Sequence, residues 1–159
     1  LSLPLQPQER EIIIVDDGSA VDVTWVKAYE AVHYLRKANG GAASARSMGL
    51  DFAQGEYITF LDCDDEIKDN YLAIIFENHR AGYDWVSYDW TCDGHKEWAK
   101  QLAEPLMINC AVWAYSFRAD FIGDKRFNPD WPLGEDREWL KRVLRDDCKH
   151  KSLDRKSVV

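Results

Sequence analysis

The chain has 159 residues, of which 46% are hydrophobic and 30% are charged, and these values are typical of one globular domain with its own core. Its 20 lysine and arginine residues are outnumbered by 28 aspartate and glutamate residues, so the net charge is −8. Nucleic acids and anionic membranes are bound through clustered basic residues, and we therefore expect neither as a partner. Apolar runs such as residues 12–15 fall far short of the ~18 residues that a membrane span needs.

Two short apolar runs, over residues 11–15 and 57–61, are predicted as strands, and each ends in a group of aspartates. These aspartates are Asp16 and Asp17 after the first run, and Asp62, Asp64 and Asp65 after the second. Continuous apolar runs that stop at turn residues are typical of strands buried on both faces of a parallel sheet. Because ligands of open α/β sheets bind outside the carboxyl ends of the strands, we expect both acidic groups on one rim.

Helical spacing of apolar residues accounts for much of the remaining chain. The segments with this spacing are residues 22–38, 42–53, 71–80 and a last helix that opens at Gly134, and an aromatic strand is predicted over residues 83–90. Residues 107–117 fit a helix and a strand equally well. The order strand, glycine turn, helix and strand up to Leu61 predicts a right-handed βαβ crossover. The fold class predicted for the whole chain is α/β, a single domain with a mostly parallel central sheet flanked by helices.

Several carboxylates on one rim repel one another, and this favours binding of a hard divalent cation. Acidic turn residues also end strands and cap helices, and that structural role is the simpler interpretation of either group alone. Two such groups, after strands that a helix connects, favour a binding site. An EF-hand counted from Asp62 would need glycine and glutamate where Ile67 and Ala73 stand, and the P-loop and dinucleotide fingerprints are absent.

Four stretches of the chain, in this order, resemble the nucleotide-sugar glycosyltransferases of family 2, which have a GT-A fold. They are residues 11–19 (EIIIVDDGS), 39–50 (NGGAASARSMGL), 55–65 (GEYITFLDCDD) and 134–140 (GEDREWL). Each string alone is a weak signal, whereas the ordered set is specific. The resemblance implies a single GT-A-like, Rossmann-like domain over residues 1–159. Its nucleotide-binding part would cover about residues 9–66, and its acceptor and catalytic part about residues 67–159.

The resemblance places the nucleotide sugar near the first two of these stretches. Asp17 would accept the N3–H of a uracil or an equivalent base. Asp16, Gly40 and Gly41 would lie beside it in the nucleotide-binding region. Arg46, near the start of the glycine-rich helix, would point toward the nucleotide, although an ordinary exposed helix arginine is an equal alternative.

The resemblance also implies a metal site and a catalytic base. Asp62 and Asp64 match the DxD motif of the family, in which the first acid contacts the ribose or a metal-bound water and the second ligates Mn²⁺ or Mg²⁺. Asp65 is a neighbour that would share either task. Asp136 matches the acid of the ED motif, which serves as the catalytic base.

The activity implied by the resemblance is a metal-dependent, inverting transfer of a sugar from a nucleoside-diphosphate sugar, with a UDP-linked sugar as the expected donor. A cation held by carboxylates would stabilise the departing diphosphate as a Lewis acid, and the acceptor hydroxyl would need a base beside it. The expected acceptor is a glycan or a lipid-linked molecule in surface polysaccharide or glycolipid synthesis. Four tryptophans are candidates for stacking on sugars, although core packing is expected for most of them: Trp85, Trp90, Trp113 and Trp131.

The four cysteines form no CxxC pair and no zinc spacing, so we predict reduced thiols and a cytoplasmic location, peripheral at the inner face of the membrane. Because the family normally opens with a further strand and helix, we expect the sequence to belong to a longer chain. Two alternatives remain open. One is a non-catalytic sugar-nucleotide-binding module. The other is a phosphoacceptor receiver domain, but the Lys-Pro dipeptide usual in receivers does not occur here.

Overall fold

The computed structural model describes residues 10–88, 111–131, 133–144 and 147–153. The strands are β1 (Ile12–Asp16), β2 (Val32–Arg36), β3 (Tyr57–Thr59), β4 (Trp85–Tyr88), β5 (Tyr115–Arg118) and β6 (His150–Leu153). The α-helices are α1 (Gly41–Phe52), α2 (Tyr71–Arg80), α3 (Ala119–Ile122) and α4 (Glu135–Val143). Short 3₁₀-helices cover Thr24–Ala28 and Val112–Ala114. No helix in this part of the chain is long and apolar enough to cross a membrane.

The strands form one parallel pair and one mixed sheet. Strands β1 and β2 are parallel, with Ile12 opposite Val32 and Asp16 opposite Arg36. The second sheet has the order β3-β5-β4-β6, in which β4 and β6 are parallel and β5 is antiparallel to both of its neighbours. The α/β class is confirmed. The predicted βαβ crossover would pair β1 with the strand at residues 57–61. Among the described residues, β1 is instead hydrogen-bonded to β2, and β3 lies in the other sheet.

The predicted helix over residues 22–38 is wrong. Its first part contains the 3₁₀-helix Thr24–Ala28, and its last part is strand β2. Between them Ala31 has a φ of 65°, which no continuous right-handed helix can contain. The parallel ladder with β1 satisfies the backbone groups of β2, and its β-branched and aromatic side chains suit a strand.

The other predicted elements are found close to their expected places. Helix α2 has the predicted bounds, and α1 begins and ends one residue earlier than predicted. Of the two strands predicted after α1, β3 ends two residues earlier than predicted and β4 begins two residues later. The ambiguous segment 107–117 contains both a 3₁₀-helix and most of β5. Residues 89–110 lie outside the described residues, and with them Trp90 and the polar stretch that follows it.

The larger core cluster forms around α4 and β5, and it fixes the orientation of α4. Trp139 is fully buried, stacked on Phe127 with ring centroids 4.6 Å apart and edge-on to Phe117 at 5.4 Å. Leu140 and Val143 are fully buried on the same helix. Residues three and four positions apart share a helix face, so this face also carries Asp136, which is buried at the first turn.

Candidate functional site

The guanidinium group of Arg46, on α1, joins three carboxylates that come from two other parts of the chain. Its Nη1 donates to Asp136 at 2.5 Å and to Glu135 at 3.2 Å, and its Nη2 donates to Asp62 at 3.0 Å. The side chains of Arg46 and Asp136 are only 14% and 12% exposed. We call Arg46, Asp62, Glu135 and Asp136 the Arg46 cluster. Through this cluster Asp62, which lies three residues after the end of β3, is joined to the first turn of α4.

Asp136 is held by backbone as well as by Arg46. Its Oδ2 accepts a hydrogen bond from the Val112 N–H at 3.0 Å, while Oδ1 accepts from Arg46. Burial raises the pKa of Asp136 above its ordinary value, and this outweighs the opposing effects of Val112 and Arg46. Each carboxylate oxygen has two acceptor positions, so each keeps one beyond these bonds. The arrangement suits a carboxylate that accepts a proton.

Asp17 forms one unit with the first turn of α1. Its two oxygens accept from the Gly40 N–H at 3.0 and 3.1 Å, and Oδ2 accepts from the Gly41 N–H at 2.7 Å. Lys37 Nζ lies 2.6 Å from Oδ1. Burial acts to raise the pKa of Asp17, but the bonds from Lys37, Gly40 and Gly41 together lower it. Arg46 lies five residues into the same helix as Gly41, or roughly 8 Å along its axis.

The two glycines at this turn are there for different reasons. Gly41 has a φ of +82°, a conformation that L side chains rarely adopt, with open space where a side chain would begin. At Gly40 an added Cβ would lie 2.7 Å from Lys37 Nζ and 3.0 Å from Ser44 Oγ. Glycine at both positions therefore lets the backbone N–H groups reach the Asp17 carboxylate.

Asp16 is directed into the protein, and its side chain is only 1% exposed. It accepts hydrogen bonds from the Tyr34 hydroxyl at 2.5 Å, from Arg36 at 2.8 Å and from the Ser19 N–H at 2.7 Å. The bond from Tyr34, followed by that from Ser19, lowers the pKa of Asp16 to about 2. Asp16 thus joins the turn after β1 to strand β2, and it presents no free edge to a ligand.

The acidic loop after β3 contains Asp62, Asp64 and Asp65, all exposed or partly exposed. The Asp65 N–H donates to the Asp62 carbonyl at 3.1 Å. Burial and the charges of Asp62 and Asp64 raise the pKa of Asp65, so the three carboxylates are close enough to repel. Within the described ranges, no three histidine, cysteine or acidic side chains are arranged to hold a metal ion.

A sequence model of one protein family, Glycosyl transferase family 2, matches residues 2–157. The chain belongs to Glycosyl transferase family 2. The resemblance read from the four motifs is confirmed, and so is the enzyme class, a glycosyltransferase. The family match does not support the receiver-domain alternative.

Curated relatives match this family 2 chain over less than half of its length. GlyG, a glycosyltransferase of Streptococcus pneumoniae serotype 4, is 40% identical over 76 residues, which are 44% of this chain and 25% of GlyG. The cholesterol galactosyltransferase of Borreliella burgdorferi is 29% identical over 79 residues, which are 46% of this chain and 22% of that protein. The matched part of the chain thus corresponds to a quarter or less of these relatives.

Solved structures share the fold over nearly the whole chain. S. aureus TarS in complex with UDP aligns with a TM-score of 0.72 at 19% identity, covering 96% of this chain and 54% of the TarS chain. TarS in complex with UDP-GlcNAc aligns with a TM-score of 0.70 at 20% identity, covering 94% of this chain and 51% of that chain. The GT-A fold predicted from the motifs is confirmed. The chain spans about half the length of these TarS chains.

Sequence reasoning missed several side chains that the structure places in contact with predicted site residues, among them Tyr34 and Arg36 beside Asp16. Glu135 shares Arg46 with Asp136, and Lys37 pairs with Asp17. Both stand beside a motif in the sequence, Glu135 within GED and Lys37 two residues before Asn39. Their charge and their position beside a motif were the signals that could have marked them as site residues. The sequence does not say which carboxylate or cation each would meet.

Proposed function

We propose that this chain is the transferase domain of an inverting, metal-dependent family 2 glycosyltransferase that uses a UDP-linked sugar. The observation that carries the proposal is the Arg46 cluster, because one guanidinium joins the predicted DxD acid Asp62 to the predicted base Asp136. A site for group transfer must hold the donor and the acceptor-activating group within reach of each other. The UDP and UDP-GlcNAc complexes of TarS support the choice of donor.

Asp136 is the proposed catalytic base. The acceptor hydroxyl would donate its hydrogen to a remaining lone pair of Asp136 while its oxygen attacks the anomeric carbon. The bond to the departing diphosphate breaks on the opposite side, so a single displacement inverts the anomeric configuration. Arg46 and the Val112 N–H hold the carboxylate in place, and burial raises its pKa, which makes it a better proton acceptor.

Asp17 is the proposed contact to the nucleotide base. It receives three donors, from Lys37, Gly40 and Gly41, and the Gly40 N–H is shared between both oxygens. A carboxylate offers about four acceptor positions and these bonds use all four, so the N3–H of a base would replace one of the two contacts of the shared Gly40 N–H. We propose a supporting role for Asp16, which holds the turn that carries Asp17.

The proposed division of the chain places nucleotide binding in about residues 9–66, and acceptor binding and catalysis in about residues 67–159.

The acidic loop is the proposed holder of Mn²⁺ or Mg²⁺, through Asp64 with Asp62 or Asp65. Carboxylate oxygens are the ligands that these hard cations prefer, and the mutual repulsion that raises the Asp65 pKa would be relieved by a cation. Mg²⁺ is commonly held by one or two carboxylates together with waters and substrate phosphates, so three protein ligands are not required. When bound, the cation would neutralise charge on the departing diphosphate.

The test combines a UDP-binding measurement with hydrolysis of UDP-GlcNAc in the presence of Mn²⁺. We expect Asp136→Asn to bind UDP as the unsubstituted protein does and to lose about 100-fold or more in kcat, the usual contribution of a general base. The matched control is Glu138→Gln, which neutralises another acid of α4, one that pairs with Arg142, and should keep full activity. Unchanged turnover in Asp136→Asn would contradict its assignment as the base.

One alternative function has its own outcome in this test. UDP binding without hydrolysis or transfer, with any acceptor, would favour the non-catalytic sugar-nucleotide-binding module. Failure to bind UDP at all would contradict the proposed donor class. The glycan or lipid-linked acceptor, and a cytoplasmic location at the inner face of the membrane, stay predictions.

A further inference from the structure

The segment between Phe127 and α4 is attached at both ends to neighbouring residues of α1. At its start, the Phe127 N–H donates to Ser47 Oγ at 2.9 Å, and the Arg46 guanidinium lies 5.8 Å from the centre of the Phe127 ring. At its end, Glu135 and Asp136 are bound by Arg46. Both ends of the segment are therefore held by adjacent residues of α1, one of which is Arg46 itself.

Two large apolar side chains on this segment face solvent. Trp131 is 51% exposed and Leu133 is 85% exposed, although Phe127 and Trp139 on either side of them are buried. The exposure of Trp131 accompanies a formed turn, in which the Trp131 N–H donates to the Asn128 carbonyl at 3.2 Å. Ligand-binding surfaces combine apolar and aromatic side chains with a few polar groups, and the chain places these two exposed side chains just before Glu135 and Asp136 of the Arg46 cluster.

We propose that Trp131 and Leu133 form the acceptor-binding surface, and that the acceptor group which they bind is an uncharged sugar ring stacked on the indole. This inference rests on the proposed function. The C–H face of a pyranose ring is apolar and flat, and an indole offers a rigid matching surface. Asp136 is five positions after Trp131, a span of at most ~18 Å of chain, so a short oligosaccharide can contact both residues at once.

The charges around this surface favour a neutral sugar over an anionic membrane. Asp130 precedes Trp131 in the chain, Glu135 follows Leu133, and the net charge of the chain is −8. Carboxylates beside the apolar pair would repel anionic lipid headgroups, whereas they can accept hydrogen bonds from sugar hydroxyls. Tryptophan and leucine alone would also fit a lipid surface, which the experiment below distinguishes.

The direct test uses nitrogen-15 spectra of the seven tryptophan indole groups. The Trp131 signal is assigned as the one that disappears in Trp131→Phe. The protein is titrated with chitobiose, cellobiose, maltose and lactose, and separately with vesicles of phosphatidylcholine or phosphatidylglycerol. We expect at least one disaccharide to shift the Trp131 signal and leave that of Trp25, which is 63% exposed elsewhere on the protein. A Trp131 signal that no disaccharide shifts, or that only vesicles shift, would overturn the inference.

A kinetic test measures transfer from UDP-GlcNAc to the disaccharide that gives the largest shift. We expect Trp131→Ala to lower kcat/KM for this acceptor about tenfold through a higher KM, the loss expected for one stacked ring. Trp131→Phe should restore most of it, and Trp25→Ala is the matched control. Equal acceptor KM values in Trp131→Ala and the unsubstituted protein would contradict the inference. If the unsubstituted protein transfers from no UDP-linked sugar, the proposed function fails instead, and the indole spectra still decide this inference.

Discussion

Replacement of Arg46 by methionine tests whether the Arg46 cluster is held together by charge. Methionine keeps much of the length and apolar volume of the arginine stem and removes the guanidinium group. The variant leaves three carboxylates facing one another without their shared cation: Asp62, Glu135 and Asp136. Repulsion and burial would then act on the same groups, so the native state of the variant should be destabilised.

The size of the effect follows from the burial of the partners. Removing one member of a buried ion pair costs about 3–5 kcal/mol, because the remaining charge is left without compensation. Asp62 is partly exposed, so water screens part of the repulsion, and we expect about 3 kcal/mol. In a domain of this length that loss lowers the Tm by roughly 6–12 °C.

The assay is urea unfolding at pH 7, followed by circular dichroism. The matched control is Arg126→Met, whose pair with Asp51 has a distance of 2.6 Å but side chains that are 34% and 59% exposed, so it should cost less than about 1 kcal/mol. In the double variant Arg46→Met/Asp136→Asn, about 1–2 kcal/mol of the loss should be recovered, because one of the repelling charges is gone.

The pH dependence of Arg46→Met has a definite sign. Burial already raises the pKa of Asp136 and Arg46 opposes this effect, so in the variant the Asp136 pKa lies further above its unfolded value and the native state binds more protons than the unfolded state. Its stability therefore rises as the pH falls, and the deficit relative to the unsubstituted protein should shrink below about pH 5. An Arg46→Met variant that is no less stable than Arg126→Met at pH 7 would refute the reasoning.

Two further predictions concern the turns that position Asp17, the proposed contact to the nucleotide base. The pKa of Asp16 is lowered to about 2, so the stability contributed by this carboxylate is present above the ordinary pKa of about 3.9 and is lost as the pH falls toward 2. Asp16→Asn should therefore be less stable than the unsubstituted protein at pH 7, and the difference should vanish at low pH. Urea unfolding at a series of pH values measures this difference. A difference that stays constant with pH would contradict this. Gly41→Ala should lower the free energy of unfolding by about 1 kcal/mol, because the φ of Gly41 is +82°. Gly49→Ala, in the interior of α1, should raise it by about 1 kcal/mol, because an added Cβ there would meet Val15 only at 3.7 Å. The Tm of each glycine variant, measured by thermal unfolding, tests these two expectations. A Gly41→Ala variant with a raised Tm would show that the left-handed conformation at this turn is not required.

Pairing between distant segments explains where the sequence-based prediction of the fold was wrong. Residues 32–36 carry spacing that also fits a helix, and only the parallel partner β1 makes them a strand. Strand β5 runs antiparallel between β3 and β4, and nothing in its own letters states that direction. Local patterns specify the kind of element when turn residues and periodicity agree, as they do for α2, but the partner of a strand is a long-range choice.

By itself the sequence determined the candidate residues of the site. The aspartates at the ends of apolar runs, the glycine pair before α1 and the Gly-Glu-Asp opening of α4 are local signals, because turn chemistry and helix starts depend on neighbouring residues. Tertiary structure alone decided the contacts among them: that Asp16 points inward to Tyr34, and that Arg46 binds Asp62 and Asp136 together. The physical reason is that a charge reveals no partner until the fold fixes distance and burial, and these two quantities set the strength of an ion pair.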